Sequence, residues 1–399
     1  MLKEKFETIP EKIRLAIREL SAGFKQEGYE CYLVGGSCRD LLLDEIPKDF
    51  DFATNCPLKV TKKIFPRVIA TGESHGTLSI IIKGILFEVT RYRKDVQTDG
   101  RRAVIAYSDS IEEDQKRRDL RINTIAYDVI ENNVVDSQGG LADFKNRLIR
   151  FVGKASQRVL EDHLRAIRYI RLTSRLFPLG FKYDDKEMDE VISVFDCHRL
   201  SLERIYEEMH KIFANPNRDK IFLKEYLCRL NFFDHYFDDS DIAKKVIADI
   251  VEKDTVFPFF YAYQKNHSIK DTTIDLKLSK KQKKILLSLV RFQSKDLQEV
   301  SILKKLISKT DSDDMFDTIK IFEKILGINL SDKIELILKS NDPIFLKDIS
   351  ITGGELQKLG VTGRNIGIML EYLQHKVWEN PSLNTLRQLK TEVKNRFKI

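Results

Sequence analysis

Two aspartates lie two positions apart in the segment Lys48-Asp-Phe-Asp-Phe-Ala-Thr54. On a strand, this spacing places the Asp49 and Asp51 carboxylates on one face and the two phenylalanines on the other, facing a core. Neighbouring carboxylates repel each other unless a cation lies between them. Divalent ions such as Mg²⁺ bind through carboxylates and substrate phosphates, and a pair of such ions activates an attacking hydroxyl and stabilises a leaving pyrophosphate. We therefore interpret the segment as a candidate Mg²⁺ site.

A Gly-Gly turn precedes the aspartates in Leu33-Val-Gly-Gly-Ser-Cys-Arg-Asp-Leu-Leu-Leu43. The pattern predicts a strand, a turn at Gly35 and Gly36, and a helix that begins near Ser37. Such a junction presents backbone N–H groups and the positive end of a helix dipole to a phosphate. Arg39 can add a charge-assisted contact. The turn is a candidate phosphate-binding site; a purely structural turn is the alternative.

Glu88 lies in Phe87-Glu-Val-Thr-Arg-Tyr-Arg93, a segment predicted to form a strand next to the aspartates. It is a candidate third carboxylate of the metal site. The alternative is an ion pair with Arg91 or Arg93, and the sequence leaves both possibilities open.

The combination of x-Gly-Gly-Ser with a strand Asp-x-Asp about a dozen residues later resembles the signature of the polymerase β nucleotidyltransferase superfamily. Two further segments are similar to motifs of one family within it: class II tRNA nucleotidyltransferases, the CCA-adding enzymes, together with bacterial poly(A) polymerases. Lys116–Ala126 contains R-R-D-x-x-x-N, and Leu160–Arg171 contains E-D-x-x-R-x-x-R. Ser201–Glu208 resembles the family's S-x-E-R-I-x-x-E segment, which we expect to brace the helices.

The R-R-D segment contains Arg118, Asp119 and Asn123. The resemblance implies that these residues bind the nucleotide and that Asp119 and Asn123 select ribose over deoxyribose. The two are four positions apart and are predicted to share one face of a helix. The alternative interpretation of this segment is a basic helix start on a solvated surface.

The E-D-x-x-R-x-x-R segment is predicted to lie within one helix, Ser156–Phe177, with Glu161, Asp162, Arg165 and Arg168 on one face. A ladder of ion pairs is one interpretation. The resemblance implies instead that Asp162 and Arg165 read the base, with Arg168 also binding the nucleotide. An Arg donor beside an Asp acceptor pairs with the edge of cytosine or adenine, whereas uracil and guanine present an N–H where the Arg requires an acceptor.

One segment favours tRNA as the substrate over messenger RNA tails. Thr71–Leu78 resembles T-G-x-x-H-G-T of CCA-adding enzymes, where poly(A) polymerases have a basic stretch. A second segment, Asp99–Arg102, resembles the flexible loop that CCA-adding enzymes use when they switch from C to A addition, and it argues against a CC-only enzyme. Arg101 and Arg102 of this loop are candidate RNA-binding residues.

A Gly-x-x-Gly turn near the C-terminus, with Gly360, Gly363 and Arg364, resembles the tail segment of these enzymes. Such a turn at the start of a helix can bring backbone N–H groups to a phosphate, here of tRNA. The alternative is a joint between two helices that packs on Leu356 and Leu370.

The elements that position these residues change character along the chain. A helix is predicted at Pro10–Glu27, and from residue 141 onward strand signals almost vanish and amphipathic helices dominate. We expect an α+β fold: a polymerase β-like nucleotidyltransferase head with a small mixed sheet, followed by an all-α neck, body and tail. The predicted strands are Cys31–Val34, Phe50–Ala53, Arg67–Ala70, Thr77–Ile82, Leu86–Thr90, Ile125–Ile130 and Val134–Val135. The predicted domains are 1–139 (head), 140–210 (neck), 211–275 (body) and 276–399 (tail, binding tRNA).

The composition excludes several classes of protein. Of 399 residues, 42% are hydrophobic and 10% aromatic, which argues against disorder. No apolar stretch approaches the length of about 20 residues that a membrane helix needs, and the N-terminus lacks an apolar leader, so we expect no membrane contact and a cytoplasmic location. Five cysteines without a C-x-x-C pair argue against a disulfide scaffold or a structural zinc site. The net charge of +7 is only weak evidence for a polyanionic partner.

The expected function is the template-independent addition of C, C and A to the 3′ end of tRNA from CTP and ATP, with Mg²⁺ and release of pyrophosphate. The alternatives are an A-only or CC-only tRNA enzyme, a poly(A) polymerase, and an inactive RNA-binding relative. The intact pair Asp49 and Asp51 argues against the last of these. The oligomeric state is left open.

Overall fold

The computed structural model describes residues 1–98, 103–213, 215, 217–237, 241, 244, 299–309, 319, 323, 327–340 and 342–397. The chain divides into two compact units, Met1–Glu208 with Asn217–Phe232 and Met209–Pro216 with Phe233–Ile399. Most of the predicted body, and the predicted tail before residue 299, lie outside the described residues. Within the described ranges, none of the helices combines the length and hydrophobicity of a membrane span.

A seven-stranded mixed sheet forms the framework of the first unit. Its strands are β1 (Cys31–Val34), β2 (Asp51–Thr54), β3 (Val68–Gly72), β4 (Thr77–Ile82), β5 (Ile85–Arg91), β8 (Ala126–Asp128) and β9 (Asn133–Val135), while β6 (Arg93–Thr98) and β7 (Ala103–Tyr107) form a separate hairpin. The order in the sheet is β3-β4-β5-β2-β1-β8-β9, and β2 and β5 are the parallel pair at its centre. All seven predicted strands occur, within two residues at either end.

The centre of the sheet is held by aromatic packing on one face. Phe50 and Phe52 are buried, as predicted, and the ring of Phe87 packs edge-on against both, at 6.4 and 5.8 Å between centroids. Helix α2 (Glu11–Gln26) covers the same core with the buried Ile17, Leu20 and Phe24. Because alternate residues face away from this core, Asp51 of β2 lies on the opposite, polar side of its strand.

The hairpin β6 (Arg93–Thr98) and β7 (Ala103–Tyr107) is an element that the sequence analysis missed. Its first strand, Arg-Lys-Asp-Val-Gln-Thr, lacks the alternation of apolar and polar residues that indicates a half-buried strand. The Asp99–Arg102 segment, with the predicted RNA-binding residues Arg101 and Arg102, lies outside the described residues. The base of the hairpin is tied to the sheet, since Nη1 of Arg93 donates to the carbonyl of His75 at 2.7 Å.

Short helices connect the strands and longer ones follow the sheet, which confirms the predicted α+β class. One pair of two-residue strands, Leu148–Ile149 and Lys182–Tyr183, lies in the region that we expected to be all-α. In addition to α2, the helices up to residue 236 are α1 (Leu2–Phe6), α3 (Gly36–Leu42), α4 (Leu58–Ile64), α5 (Ile111–Lys116), α6 (Gly140–Lys145), α7 (Ala155–Glu161), α8 (Leu164–Leu176), α9 (Asp185–Val194), α10 (Leu202–Phe213), α11 (Lys220–Arg229) and α12 (Phe232–Tyr236).

The described part of the second unit is helical. Its core is formed by Leu356, Leu373 and Val377 with their neighbours. The side-chain amide of Gln374 and the indole N–H of Trp378 donate to the same carbonyl, that of Ile344, at 2.8 and 3.3 Å. Its longer helices are Val300–Lys309, Ser331–Lys339, Gly353–Lys358, Asn365–Glu379 and Leu386–Phe397.

Candidate active site

Asp51 is the first residue of β2, whereas Asp49 precedes the strand. The prediction that both aspartates belong to one strand is therefore wrong for Asp49. The physical reason is a hydroxyl that replaces strand pairing: Oγ of Ser37 donates to the carbonyl of Asp49 and accepts from the N–H of Asp51, each at 3.1 Å. The main chain on both sides of Phe50 is thereby fixed by the first turn of α3.

The Gly-Gly turn brings together the Arg118 guanidinium, the Asp51 carboxylate and the first residues of α3. Gly35 has φ +69°, in the left-handed region that favours glycine. A methyl group built on Gly35 would lie 3.4 Å from Nη1 of Arg118 and 3.9 Å from Oδ2 of Asp51. A guanidinium and a carboxylate therefore face the same glycine. The helix α3 begins at Gly36, one residue earlier than predicted, so its backbone N–H groups start at this point.

Glu88 lies directly opposite Asp51 in the parallel pairing of β2 and β5. Paired residues project from the same face of a sheet, so the exposed Glu88 shares the polar face of Asp51. Among the residues that the structure describes, no group of three or more His, Cys, Asp or Glu side chains is placed to hold a metal ion. The carboxylates of Asp51 and Glu88 nevertheless suit an ion that takes one or two protein ligands and completes its shell with substrate phosphates.

Arg39, a predicted triphosphate ligand, is 6% exposed and its guanidinium has protein partners. Its Nη1 donates to Oδ1 of Asn123 at 2.7 Å, and its Nε and Nη2 donate to Oδ1 of Asp40 at 3.0 and 2.8 Å. A methyl group built on Gly36 would lie 3.3 Å from Nη2 of Arg39. Arg39 thus connects the Gly-Gly turn to Asn123, a residue of the R-R-D segment.

Asp119 and Asn123 are adjacent, but not on the predicted helical face. Helix α5 ends at Lys116, Leu120 has extended backbone angles (φ −113°, ψ 142°), and residues 121–123 form a single 3₁₀ turn. Oδ1 of Asp119 accepts the N–H of Leu120 at 2.7 Å. Oδ1 of Asp119 also accepts from Nδ2 of Asn123 at 3.2 Å. Burial opposes ionisation of Asp119, but the guanidinium of Arg168 and the Leu120 N–H together hold the pKa of that carboxyl below its ordinary value.

The predicted helix Ser156–Phe177 is broken. Helix α7 ends at Glu161 and α8 begins at Leu164, because Asp162 adopts extended backbone angles, φ −157° and ψ 104°. Its carboxylate accepts the N–H of Leu164 at 3.1 Å and therefore caps the start of α8. The prediction that Glu161, Asp162, Arg165 and Arg168 share one face of a continuous helix is wrong for this reason.

The break gives Asp162 and Arg165 different partners. Oδ2 of Asp162 accepts from Nη2 of Arg204 at 2.6 Å. Arg165 is 9% exposed; its Nη1 contacts Glu161 at 2.6 Å and its Nη2 donates to the carbonyl of Arg117 at 2.8 Å. The sequence analysis did not select Arg204, although this residue lies in the S-x-E-R-I-x-x-E segment and its charge is opposite to that of Asp162.

Glu208 is buried, at 1% exposure, and binds two arginines of α8. Its carboxylate accepts from Nε of Arg168 at 3.2 Å and from Nε of Arg171 at 2.7 Å. Nη1 of Arg168 also reaches Oδ2 of Asp119 at 3.4 Å. Burial disfavours the charged form of Arg168, but the Asp119 and Glu208 carboxylates raise the pKa of this guanidinium above its ordinary value. Ionic contacts therefore join α8 to the R-R-D segment.

The Gly-x-x-Gly turn belongs to the second unit. Gly360 and Gly363 have φ +87° and +57°, and a methyl group on either would meet no atom within 4 Å. Arg364 directly precedes the helix Asn365–Glu379. The turn is open to its surroundings, while Leu356 before it belongs to the core of the unit.

The chain is similar to known proteins both in sequence and in fold. Residues 31–150 match the family described as the poly A polymerase head domain. A CCA-adding enzyme of Lactobacillus johnsonii is 38% identical over 225 residues, which cover 55% of this chain and 54% of the relative. The mitochondrial CCA tRNA nucleotidyltransferase 1 of Danio rerio is 29% identical over 366 residues, which cover 88% of this chain and 84% of that protein.

The fold as a whole resembles that of a solved structure, a Bacillus stearothermophilus CCA-adding enzyme in complex with CTP. The TM-score is 0.65 at 22% identity, and the match covers 98% of each chain. This likeness confirms the predicted α+β head with a mixed sheet, followed by helical regions. The chain spans about half the length of the bacterial relatives that it matches in sequence, at 54% and 53% of the first two.

Proposed function

We propose that this chain, a member of the nucleotidyltransferase family of CCA-adding enzymes and poly(A) polymerases, adds C, C and A to the 3′ end of tRNA. The observation that carries the proposal is the meeting of the Asp51 carboxylate and the Arg118 guanidinium at Gly35. A carboxylate for a metal ion, a cation for phosphate and an open glycine turn are the parts that nucleotidyl transfer needs. The similarity to proteins named as CCA-adding enzymes supports tRNA as the acceptor.

Polymerase-family nucleotidyltransferases use divalent metal ions, and for this chain we propose Mg²⁺. Asp49 and Asp51 would hold it, with Glu88 as a further carboxylate on the same face of the sheet. When bound, the ion supplies Lewis-acid activation of the attacking hydroxyl and of the leaving pyrophosphate. Because Ser37 fixes the main chain of both aspartates, their carboxylates are positioned before substrate arrives.

In this proposal, separate groups of residues hold the triphosphate, the ribose and the base of the nucleotide. The backbone of Gly35, Gly36 and Ser37 and the side chain of Arg118 bind the triphosphate, because a helix start and a guanidinium both favour negative charge. Asp119 and Asn123 meet the ribose. The contact of Arg39 with Asn123 orients that amide, so Arg39 acts on the ribose side through Asn123 as well as by its charge.

Asp162 and Arg165 read the base, and Arg168 supports them. In the structure each is already paired, Asp162 with Arg204 and Arg165 with Glu161. These contacts keep the base-reading side chains oriented before the nucleotide binds, and the base of CTP or ATP then replaces some of them. UTP and GTP leave a buried Arg donor without an acceptor and are rejected.

The reaction then follows from this placement. The 3′-hydroxyl of the RNA loses its proton to solvent water, and its oxygen forms a bond to the α-phosphorus of the nucleotide as the bond between that phosphorus and the bridging oxygen of the β-phosphate breaks. Pyrophosphate leaves with the electron pair of that bond. Arg118, at the Gly-Gly turn, stabilises negative charge on the phosphates in the transition state.

The remaining parts of the chain are proposed to bind tRNA. Arg101 and Arg102 contribute positive charge to the loop that acts when addition switches from C to A. The turn of Gly360, Gly363 and Arg364 binds a backbone phosphate. The proposal includes the division into head, neck, body and tail at residues 139, 210 and 275, and a cytoplasmic location.

The test uses four RNAs with Mg²⁺ and single or mixed nucleotides: tRNA ending at the discriminator base, the same tRNA with one or two added C residues, and an unstructured RNA. We expect extension to CCA on each tRNA and little on the unstructured RNA. Stopping at CC, addition of A alone, or long A tracts on the unstructured RNA would identify a CC-only enzyme, an A-only enzyme or a poly(A) polymerase. A chain that binds tRNA but extends none of these RNAs is an inactive relative, which would contradict the proposal.

A further inference from the structure

Asp114 is a buried carboxylate that the sequence analysis did not select. It lies in α5, three residues before Arg117 and four before Arg118, and its side chain is 1% exposed. Its two oxygens accept from different arginines: Oδ1 from Nε and Nη2 of Arg117 at 2.9 and 2.6 Å, and Oδ2 from Nε and Nη2 of Arg118 at 3.1 and 2.9 Å. One carboxylate therefore holds both guanidiniums of the R-R-D segment.

Arg118 is held with its remaining nitrogen aimed at the nucleotide site. Nε and Nη2 are occupied by Asp114, and Nη1 donates to the carbonyl of Asn123 at 3.3 Å. The same Nη1 would lie 3.4 Å from a methyl group on Gly35. Without Asp114, the long Arg118 side chain regains rotamer freedom, and of these hydrogen bonds only the one from Nη1 to the Asn123 carbonyl is left to hold it at the turn.

Arg117 extends the influence of Asp114 to two other parts of the site. Its Nε donates to the carbonyl of Arg93, the first residue of the β6–β7 hairpin, at 3.0 Å. Its own carbonyl accepts from Nη2 of Arg165 at 2.8 Å. Burial lowers the pKa of Arg117 to about 10, and the Asp114 carboxylate opposes that fall. The pair is thus a desolvated ion pair, of the kind whose disruption leaves an uncompensated charge.

We propose that Asp114 is a positioning residue for nucleotidyl transfer: it aims Arg118 at the triphosphate and, through Arg117, supports the base-reading Arg165 and the base of the hairpin. This inference rests on the proposed function. Two guanidiniums that share one carboxylate repel each other when that charge is removed. Removal of the charge therefore moves Arg118 away from its place rather than merely loosening it.

The test is equilibrium binding of CTP and CMP, with Mg²⁺ and without RNA, to the full chain and to Asp114→Asn. CMP shares the base and ribose with CTP but lacks the β- and γ-phosphates. We expect the affinity for CTP to fall by about ten- to a hundredfold, as for loss of hydrogen bonds to charged groups, and the affinity for CMP to fall much less. A purely structural role would weaken both nucleotides equally or leave both unchanged, and either result would overturn the proposal.

Asp143→Asn is the matched control, because Asp143 is also a fully buried carboxylate with an arginine partner, Arg150, but lies in α6. We expect it to leave the ratio of CTP to CMP affinity unchanged. Asp114→Glu keeps the charge while displacing both guanidiniums, so it gives the same selective loss if Asp114→Asn fails to fold; equal loss for both nucleotides in Asp114→Glu overturns the proposal.

The experiment distinguishes failure of the triphosphate site from failure of the role of Asp114. A wild-type chain that binds CTP no better than CMP contradicts the triphosphate site itself, and with it the role of Asp114. A wild-type chain that prefers CTP, together with an unchanged preference in Asp114→Asn, contradicts the role of Asp114 alone and leaves the proposed function standing.

Discussion

The hydroxyl oxygen of Ser37 lies 3.1 Å from the carbonyl oxygen of Asp49 and 3.1 Å from the amide nitrogen of Asp51. Ser37 is itself 1% exposed, so these bonds are shielded from water. The strand β1 pairs with β2 only as far as Leu33 opposite Phe52, so the chain before Asp51 has no strand partner on that side. A single side chain of the helix that follows the Gly-Gly turn therefore sets the main chain of both proposed metal ligands.

The first prediction concerns Ser37→Ala. Loss of the hydroxyl leaves the Asp51 amide and the Asp49 carbonyl, in partly buried surroundings, without this partner, which costs about 1 kcal/mol. We expect kcat for CTP addition to fall by about tenfold or more because a small displacement of catalytic groups is costly. The concentration of Mg²⁺ needed for half-maximal rate should rise. Steady-state kinetics as a function of Mg²⁺ measure both effects.

The control for Ser37 is Ser21→Ala, a buried serine of α2. It should change stability without changing the Mg²⁺ dependence. Equal Mg²⁺ dependence in Ser37→Ala and the wild type would show that the aspartates do not depend on this hydroxyl.

The second prediction concerns base selection. Asp162→Ala removes the proposed acceptor for the amino group of cytosine or adenine, so kcat/KM for CTP should fall more than that for UTP. We expect the preference for CTP over UTP to drop by at least about tenfold, since sites built on hydrogen bonds discriminate strongly. The matched control is Asp189→Ala, which removes an exposed aspartate paired with Arg229 at 2.6 Å. A preference that survives in Asp162→Ala would remove Asp162 from base reading.

The sequence predicted the central sheet well because its strands carry their own signals. The alternation of Phe50 and Phe52 with aspartates, and the apolar run Thr77–Ile82, each indicate a strand from local pattern alone. The helix break at Asp162 could not be predicted in this way. Helical periodicity continues across it, and the break depends on the Asp162 carboxylate capping Leu164 and contacting Arg204 from a distant helix.

The third prediction concerns pH. Burial lowers the pKa of His163 below its ordinary value; Asp196 and Asp162 oppose this and Arg199 adds to it. Nδ1 of His163 accepts the N–H of Asp196 at 3.1 Å, so the folded chain holds the neutral ring. The unfolded chain binds a proton near the ordinary imidazole value of about 6.5. The free energy of unfolding therefore falls as pH drops through about 6.5 toward the lower pKa of the folded chain. At pH values well above 6.5, His163 does not change the free energy of unfolding with pH.

Urea unfolding at several pH values measures this effect. His163→Gln should remove that part of the pH dependence, whereas His198→Gln, at an exposed histidine, should retain it. The same fall in stability in wild type and His163→Gln would contradict the assignment.

The fourth prediction concerns the sugar. Asn123 is held by Arg39 at 2.7 Å and contacts Asp119 at 3.2 Å. Because the proposal places this group against the ribose, Asn123→Ala should reduce the preference for CTP over dCTP by about tenfold, the worth of one or two hydrogen bonds. Asn133→Ala, at an exposed position of β9, is the control. An unchanged preference for CTP would exclude Asn123 from sugar selection.

The candidate site was predictable in its residue types but not in its internal partners. Asp49, Asp51, Asp119 and Asn123 stand in motifs, whereas Asp114 reads as one acid among several in Ile111-Glu-Glu-Asp-Gln-Lys116. A signal was present, since Asp114 stands at helical spacing from Arg117 and Arg118. Which acid turns inward depends on the orientation of α5 against the rest of the unit, and local sequence does not contain that information.

Addition of C, C and A to tRNA is best measured by sequencing the 3′ ends of a tRNA that initially ends at the discriminator base, after incubation with the protein, Mg²⁺ and all four nucleotides. We predict products that end in C, CC and CCA and none that continue beyond CCA. Asp51→Asn should yield no more than about a hundredth of the wild-type product, because it removes a charge from the metal site. Ends that carry U or G, runs of A, or equal product from Asp51→Asn would contradict the account.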